Sequence, residues 1–294
     1  MEGRPDSPPC VLDTGNPCRY GELCQQHWVP LPGFLLAKRL HPGYSLNSCV
    51  TIVSIIKSDE KKFCPMLTAL NPFDRNQPFP DASLALDDPN GLLAVGGCLS
   101  PRRLVNAYRH GIFPWYSEDE PILWWSPNPR LVLFPERLYV SRSLRKTLKT
   151  SEFNYTYDLC FEQVMDACAE PRAYAEATWI SPQIKRAYCQ LHQLGLAHSF
   201  EAWKEGYLVG GLYGLSLGGV FFGESMFHRT SNASKAAFAF AVGKLLQWGY
   251  RLIDCQVHTG HLASLGAEEI PRTVFIALLD DYCNLPVSAS AWHK

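Results

Sequence analysis

The sequence predicts an α+β fold, and two observations carry that prediction. Residues 198–222 alternate strand and turn signals: runs at 198–203 and 207–217 flank Lys204-Glu205-Gly206, and Gly218-Gly219 turn the chain into a third run at 220–222. That pattern is an antiparallel meander. After it the period changes. An apolar-striped helix is expected at 233–247, ended by Gly249, then a buried strand at 252–255 and a last helix at 271–282. A meander followed by helix, strand and helix is an α+β order rather than a regular βαβ alternation.

The upstream elements follow from local punctuation. Asp88-Pro89-Asn90-Gly91 is a turn signal, residues 92–95 form a short apolar strand, and Gly96-Gly97 break it. Ser100-Pro101 supplies an N-cap and a first helical position. Leu104, Ala107 and Tyr108 recur at helical spacing, and Gly111 stands where a C-cap belongs, so a short helix delivers residues 111–115 as a loop. Strands are expected at 121–125 and 130–134, and helices at 141–149, at 159–169 and from Ser181-Pro182 to Gly195. No internal repeat is present. The order from the meander onward matches the acyltransferase fold typified by the GCN5-related N-acetyltransferases, preceded here by a small N-terminal α/β domain; such an analogy of order says little about function.

Composition sets outer bounds. Of 294 residues, 47% are hydrophobic and 19% charged, enough for a sizeable core, and the formal net charge of −1 argues against a protein that coats DNA while leaving room for a local basic patch. No apolar run reaches the roughly 18–20 residues of a membrane span, and the N-terminus lacks the basic-then-apolar order of a signal peptide. A cytoplasmic location without membrane partners is therefore expected. The 11 cysteines are odd in number and contain no C-x-x-C pair, so they are expected to be small buried hydrophobes, with no metal.

Residues 1–65 differ from the rest. They hold Cys10, Cys18, Cys24, Cys49 and Cys64 with many prolines and no sustained period. They are expected to be an extension, disordered or lying upstream of a true start at Met66. The remainder divides into a small domain, 66–130, and a catalytic domain, 131–294.

Four segments carry a resemblance when taken together and in order. They are Pro89-Asn90-Gly91-Leu92-Leu93-Ala94-Val95-Gly96-Gly97, Gly111-Ile112-Phe113-Pro114-Trp115-Tyr116, Gly223-Glu224-Ser225-Met226-Phe227, and Ile253-Asp254-Cys255-Gln256-Val257 with Ala263-Ser264-Leu265-Gly266-Ala267. In this order and spacing they resemble the bacterial leucyl/phenylalanyl-tRNA–protein transferases, over roughly residues 67–281. The resemblance implies transfer of leucine or phenylalanine, and methionine more weakly, from aminoacyl-tRNA to the α-amine of proteins beginning with Arg or Lys, marking them for degradation.

The chemistry of that reaction selects candidate residues. An aminoacyl ester is already activated, so no ATP, metal or other cofactor is required, and no G-x-x-x-x-G-K-[ST] phosphate loop occurs. The acceptor amine, with a pKa of about 7.7–8.0, needs a base, and the carbonyl and side chain need a holder and a pocket. Asp254, following Leu252-Ile253 on a buried strand, is the candidate for proton handling. Gln256, two residues on, shares its face on a regular strand and would orient the amine or carbonyl. The ordinary structural alternative for Asp254 is a cap on the next turn. Glu224, after the turn-prone Gly223, is a candidate for binding the acceptor or positioning its amine.

Leu212, Phe221, Met226, Phe238, Leu245 and Ile253 are expected to line the amino-acid pocket, with Ala241 setting its size on the same helix. Some of these belong to the core on any reading. Trp115, Trp179 and Tyr188 are candidates for stacking on the tRNA 3′ end, and Tyr108 lines either that ligand or the core. Trp124 and Trp125 are expected to be structural. Arg142, Arg145, Lys146 and Lys149 recur at i, i+3, i+4 and i+7 and form one face suited to the tRNA backbone. Two rivals remain. An acetyl-CoA-dependent N-acetyltransferase would carry a glycine-containing R/Q-x-x-G-x-G/A loop, whereas His228-Arg229-Thr230-Ser231-Asn232 has no glycine. A non-catalytic tRNA- or peptide-binding module would not need Asp254 and Gln256 together.

Overall fold

Ser100, Ser141 and Ser181 each accept a hydrogen bond from the backbone N–H three residues on, at Arg103, Leu144 and Ile184, so three helices begin where their capping hydroxyls fix them. These bonds are seen in a computed structural model that describes residues 67–150, 152–170 and 178–293. The expectations for residues 1–65, including the start at Met66, lie outside the described residues.

The first elements are β1 (Thr68–Leu70), β2 (Leu92–Gly96), α1 (Pro101–Arg109), β3 (Phe113–Pro114) and β4 (Leu123–Trp125). They build a four-stranded sheet of order β1-β2-β4-β3 in which β1 and β2 run parallel. The chain then continues through β5 (Arg130–Leu133), α2 (Arg142–Lys149), β6 (Asn154–Tyr157), α3 (Phe161–Ala169), α4 (Pro182–Gln193), β7 (Ala197–Lys204), β8 (Tyr207–Leu217) and β9 (Val220–His228). It ends with α5 (Ala233–Gln247), β10 (Leu252–Gln256), α6 (Gly260–Ala263), β11 (Glu268–Ile270) and α7 (Arg272–Tyr282). The large sheet has the order β11-β5-β10-β9-β8-β7-β6, and among its described strands only the β9–β10 pair is parallel. The protein is α+β, with the meander, crossover helix and following strand in the expected order.

Strand periodicity builds two cores from the large sheet. Val220, Phe222, Leu252 and Val132 pack into one apolar cluster; their neighbours Phe221, Ile253 and Leu133 pack into the other. A sheet covered on both faces is why these strands read as continuous apolar runs rather than alternating ones. The first core also takes in Leu93, Ala94 and Trp124 of the small sheet, so the two sheets share it. The second is closed by Ala237, Val242 and Leu245 of α5 and Leu144 of α2.

Several features differ from the sequence expectation: residues 111–115, expected as a loop, contain the short strand β3, and β1 and α6 were not expected. The third meander strand does not stop at a turn after Phe222; it runs on to His228. Gly223 marks a bulge there instead of a turn, the other structure that a glycine inside a strand signals. The edge strands β6 and β11 were not expected, because they are only 4 and 3 residues long and are defined by partners 40 or more residues away.

Candidate active site

The parallel pair of the large sheet opens into a fork. Its register runs Leu252 to Val220, Ile253 to Phe221 and Asp254 to Phe222, and no further. Just beyond, each strand carries an extra residue. On β9, Gly223 stands opposite Gly214 and Ser225 opposite Tyr213, which leaves Glu224 unpaired in the ladder. On β10, Asp254 stands opposite Val132 and Gln256 opposite Leu131, which leaves Cys255 unpaired in the ladder. Such bulges bend a strand and re-aim its side chains. Gly214 is required at this point, since a Cβ there would lie 2.3 Å from the Phe222 carbonyl oxygen and 2.7 Å from the Phe221 ring.

Glu224 projects, half-buried, into the fork and gathers three donors. Tyr108 Oη donates to Oε1 at 2.6 Å, Tyr188 Oη to Oε2 at 2.9 Å, and Gln256 Nε2 to Oε1 at 3.0 Å. The two tyrosine hydroxyls also touch each other. Burial pushes the Glu224 carboxyl up to about 7, against the pull of the two tyrosine bonds; the negative charge of Asp254 adds to the rise and Arg130 opposes it. Burial, and then the Glu224 charge, hold both tyrosines well above the usual phenol value, so they remain protonated donors.

Asp254 has a different environment. Its carboxylate is fully buried and accepts Arg130 Nε at 2.8 Å on Oδ1 and Nη2 at 2.6 Å on Oδ2. Oδ1 also accepts the Gln256 backbone N–H at 2.9 Å, which holds Gln256 in the left-handed region at φ 63°. Non-glycine residues adopt that region mainly where surrounding structure compels it. The guanidinium of Arg130 lies 4.7 Å from the ring centres of both Phe113 and Phe275 and donates Nη1 to the Gly111 carbonyl at 3.1 Å. Asp254 and Gln256 therefore meet the site through a bulge and a buried ion pair, rather than through the simple alternation of a regular strand.

A cleft of about 880 Å³ surrounds the fork. Leu212, Phe221, Met226, Phe238, Leu245 and Ile253 all line it, together with Ala241, Val242, Glu224, Asp254 and Gln256. Trp115 and Trp179 also border it, and Trp115 is 42% exposed. The Trp125 indole N–H donates to the Trp115 carbonyl at 2.6 Å, and Trp124 is fully buried with its indole on the Gly96 carbonyl. Tyr108 and Tyr188 do not border the cleft and are fully buried: the Tyr188 ring offers no face to a base, contrary to the stacking expected of it, and Tyr108 takes the core position that was one of its two expected places. Desolvated rings at the shared core leave only their hydroxyls for the site.

Arg130 was not singled out by sequence reasoning. The available signal was a charge opening the buried run Arg130-Leu131-Val132-Leu133, since a charge in such a strand needs a partner. The basic face stands elsewhere: Arg142, Arg145, Lys146 and Lys149 are all exposed on α2, and none forms an ion pair among the described residues. A separate group, Asp158, His192 and His198, has ligand-type atoms within 4.8 Å of one another. Its histidines already have partners, His198 Nδ1 lying 2.7 Å from Asp158 and His192 Nδ1 2.7 Å from the Ala197 backbone carbonyl, and the group does not border the cleft.

Residues 132–280 match the family described as leucyl/phenylalanyl-tRNA protein transferase, and residues 97–128 match its N-terminal domain. A leucyl/phenylalanyl-tRNA–protein transferase of Methylococcus capsulatus is 59% identical over 227 residues, covering 77% of this chain and 97% of the relative. The chain belongs to the leucyl/phenylalanyl-tRNA protein transferase family. It is an aminoacyltransferase. A second such relative, from Cellvibrio japonicus, is 56% identical over 230 residues, covering 78% of this chain and 97% of the relative. Among solved structures, a GCN5-related N-acetyltransferase from Kribbella flavida aligns at 14% identity with a TM-score of 0.31, over 57% of this chain and 60% of that one. Among the described residues, no helix is long and apolar enough to cross a membrane.

Proposed function

We propose that this family member transfers leucine or phenylalanine, and methionine more weakly, from aminoacyl-tRNA to the α-amine of proteins beginning with Arg or Lys, and that Glu224 is the proton acceptor. The observation that carries the reading is a half-buried carboxylate with its pKa raised to about 7, at a strand fork that opens into an apolar cleft. A base is most effective when its pKa lies near the working pH.

The reaction moves protons in a definite order. The acceptor ammonium first loses a proton. Its nitrogen then attacks the ester carbonyl, the C–N bond forms and the bond to the 3′ oxygen breaks. Nitrogen gives up one further proton and the 3′ oxygen takes one. Glu224 is suited to receive the proton from nitrogen, with Tyr108, Tyr188 and Gln256 stabilising the carboxylate between turnovers. The proton-handling role expected of Asp254 thus passes to Glu224. Asp254 becomes a positioning residue: paired with Arg130 and fully buried, it fixes Gln256 and the β10 bulge.

The buried wall of Leu212, Phe221, Phe238, Ala241, Leu245 and Ile253 suits an apolar side chain free of branching at Cβ. Trp115 and Trp179 on the cleft edge suit stacking on the terminal adenine, and the α2 face suits the tRNA backbone. The Arg or Lys at the acceptor N-terminus, and the consequence of degradation, rest on the family resemblance. Among the described residues, the acidic side chains bordering the cleft are Glu170, Glu224 and Asp254. The direct test is transfer of radiolabelled leucine from Leu-tRNA to a peptide beginning with Arg, without ATP or acetyl-CoA, against a peptide beginning with Gly. Transfer to the Arg peptide alone is expected; none to either would end this reading.

A further inference from the structure

The apolar cleft wall has a second layer behind it. Leu212, Phe221 and Ile253 come from the large sheet and Phe238, Ala241 and Leu245 from α5, so the width of the pocket is the spacing between sheet and helix. Trp292, in the segment after α7, packs against the same core without bordering the cleft. Its ring centre lies 6.2 Å from that of Phe221 at an interplanar angle of 27° and 5.2 Å from that of Phe200 on β7. It also lies 4.7 Å from that of Trp248, one helical turn beyond Leu245. The indole thus bridges the end of α5 to the strands, on a side of the Phe221 ring that does not face the cleft.

Trp292 is fixed by more than packing. Its indole N–H donates to Tyr250 Oη at 2.8 Å, and its ring stacks on the His198 imidazole at 3.7 Å and 8°. The backbone is fastened on both sides: the Ser288 N–H donates to the Trp248 carbonyl at 2.8 Å, and Tyr157 Oη donates to the His293 carbonyl at 2.8 Å. Trp292 itself takes the left-handed region at φ 63°, which a bulky residue adopts only where its surroundings impose it. The Phe221 ring is also closed in by Gly214, where a Cβ would come within 2.7 Å of it. A ring packed this closely moves only if a neighbour moves. We infer that Trp292 is a positioning residue for donor selection: it holds Phe221 against the cleft and so sets the width of the side-chain pocket. The inference rests on the aminoacyl-transfer reading of the fork. Without the indole, Phe221 withdraws into the vacated space, the pocket admits a larger side chain, and phenylalanine gains over leucine.

The test offers one peptide beginning with Arg an equimolar mixture of Leu-tRNA and Phe-tRNA. The ratio of the two products, read by mass, is the ratio of their kcat/KM values. Trp292→Ala should shift that ratio toward phenylalanine by on the order of tenfold, the scale on which a pocket senses a methylene or two. Trp292→Phe keeps a ring at the position and should return the ratio to near the wild-type value. Leu279→Ala, a large-to-small change in the other core at a residue that does not border the cleft, lowers stability and should keep the wild-type ratio. If Trp292→Ala does not fold, Trp292→Leu replaces it, with a smaller shift in the same direction. An unchanged ratio in a folded Trp292 variant, a shift toward leucine, or an equal shift in Leu279→Ala would overturn the positioning role alone. A wild-type protein that forms neither product would overturn the transferase reading, and the positioning role with it.

Discussion

Gln256 donates from Nε2 to Oε1 of Glu224 at 3.0 Å, and this bond bridges two strands that have already stopped pairing. Glu224 is the extra residue of one bulge, and Gln256 directly follows the extra residue of the other. Regular strands would carry these side chains along the sheet faces. The paired bulges turn them toward each other across the fork, where the apolar cleft begins.

Replacing Glu224 by Gln keeps the shape and removes the base. The expected loss in kcat is roughly 10²–10⁴-fold, the range for a general base, with little change in KM for aminoacyl-tRNA. Single-turnover transfer to an Arg peptide measures this. A kcat within a few-fold of wild type would assign proton handling elsewhere.

The raised Glu224 pKa sets a pH profile. A base works when deprotonated, so kcat should rise through a midpoint of about 7. Tyr108→Phe removes a bond that lowers this pKa and should move the limb to higher pH. Stability should run the other way. The folded protein holds the Glu224 proton more tightly than the unfolded chain does, so this contribution is complete below 4.5 and is lost as pH rises through about 7. Glu224→Gln should therefore lose less Tm than wild type between about pH 5 and pH 8. Parallel pH–Tm curves would contradict the shift.

Asp254 and Arg130 form a fully buried pair, and removing one partner strands the other charge. Asp254→Ala is expected to cost about 3–5 kcal/mol in urea unfolding. Its activity loss should be partly restored under conditions that stabilise the fold. Loss of kcat in a variant of unchanged stability would return Asp254 to a direct chemical role.

Ala241 borders the cleft from a position that is 1% exposed, so its side chain limits the pocket. Ala241→Val should weaken phenylalanine transfer more than leucine transfer. The change in their kcat/KM ratio should be on the order of 10-fold, since a methylene or two gives only ~1–3 kcal/mol of discrimination. An unchanged ratio would place the side-chain pocket elsewhere.

Charge reversal at both Arg145 and Lys146 should raise KM for aminoacyl-tRNA and lower its salt slope by roughly two, one for each cation withdrawn from the phosphate backbone. The four basic side chains of α2 are exposed, so the fold should be unaffected. An unchanged slope would move the tRNA path to another face.

Much of this protein is determined by its sequence alone, and what is determined is local. Ser100-Pro101 and Ser181-Pro182 start their helices because cap and first turn are adjacent in the chain, and Lys204-Glu205-Gly206 turns the meander for the same reason. The apolar cleft wall was legible because Leu212, Phe221, Phe238, Leu245 and Ile253 belong to elements with clear periodicity. The tertiary structure decided the rest. Asp254 is neutralised by an arginine 124 residues away, and Glu224 is held by tyrosines 116 and 36 residues away. Those pairings depend on strand register and on two single-residue bulges. A shift of one residue reverses which face a side chain occupies, and no neighbouring residue in the chain records that shift.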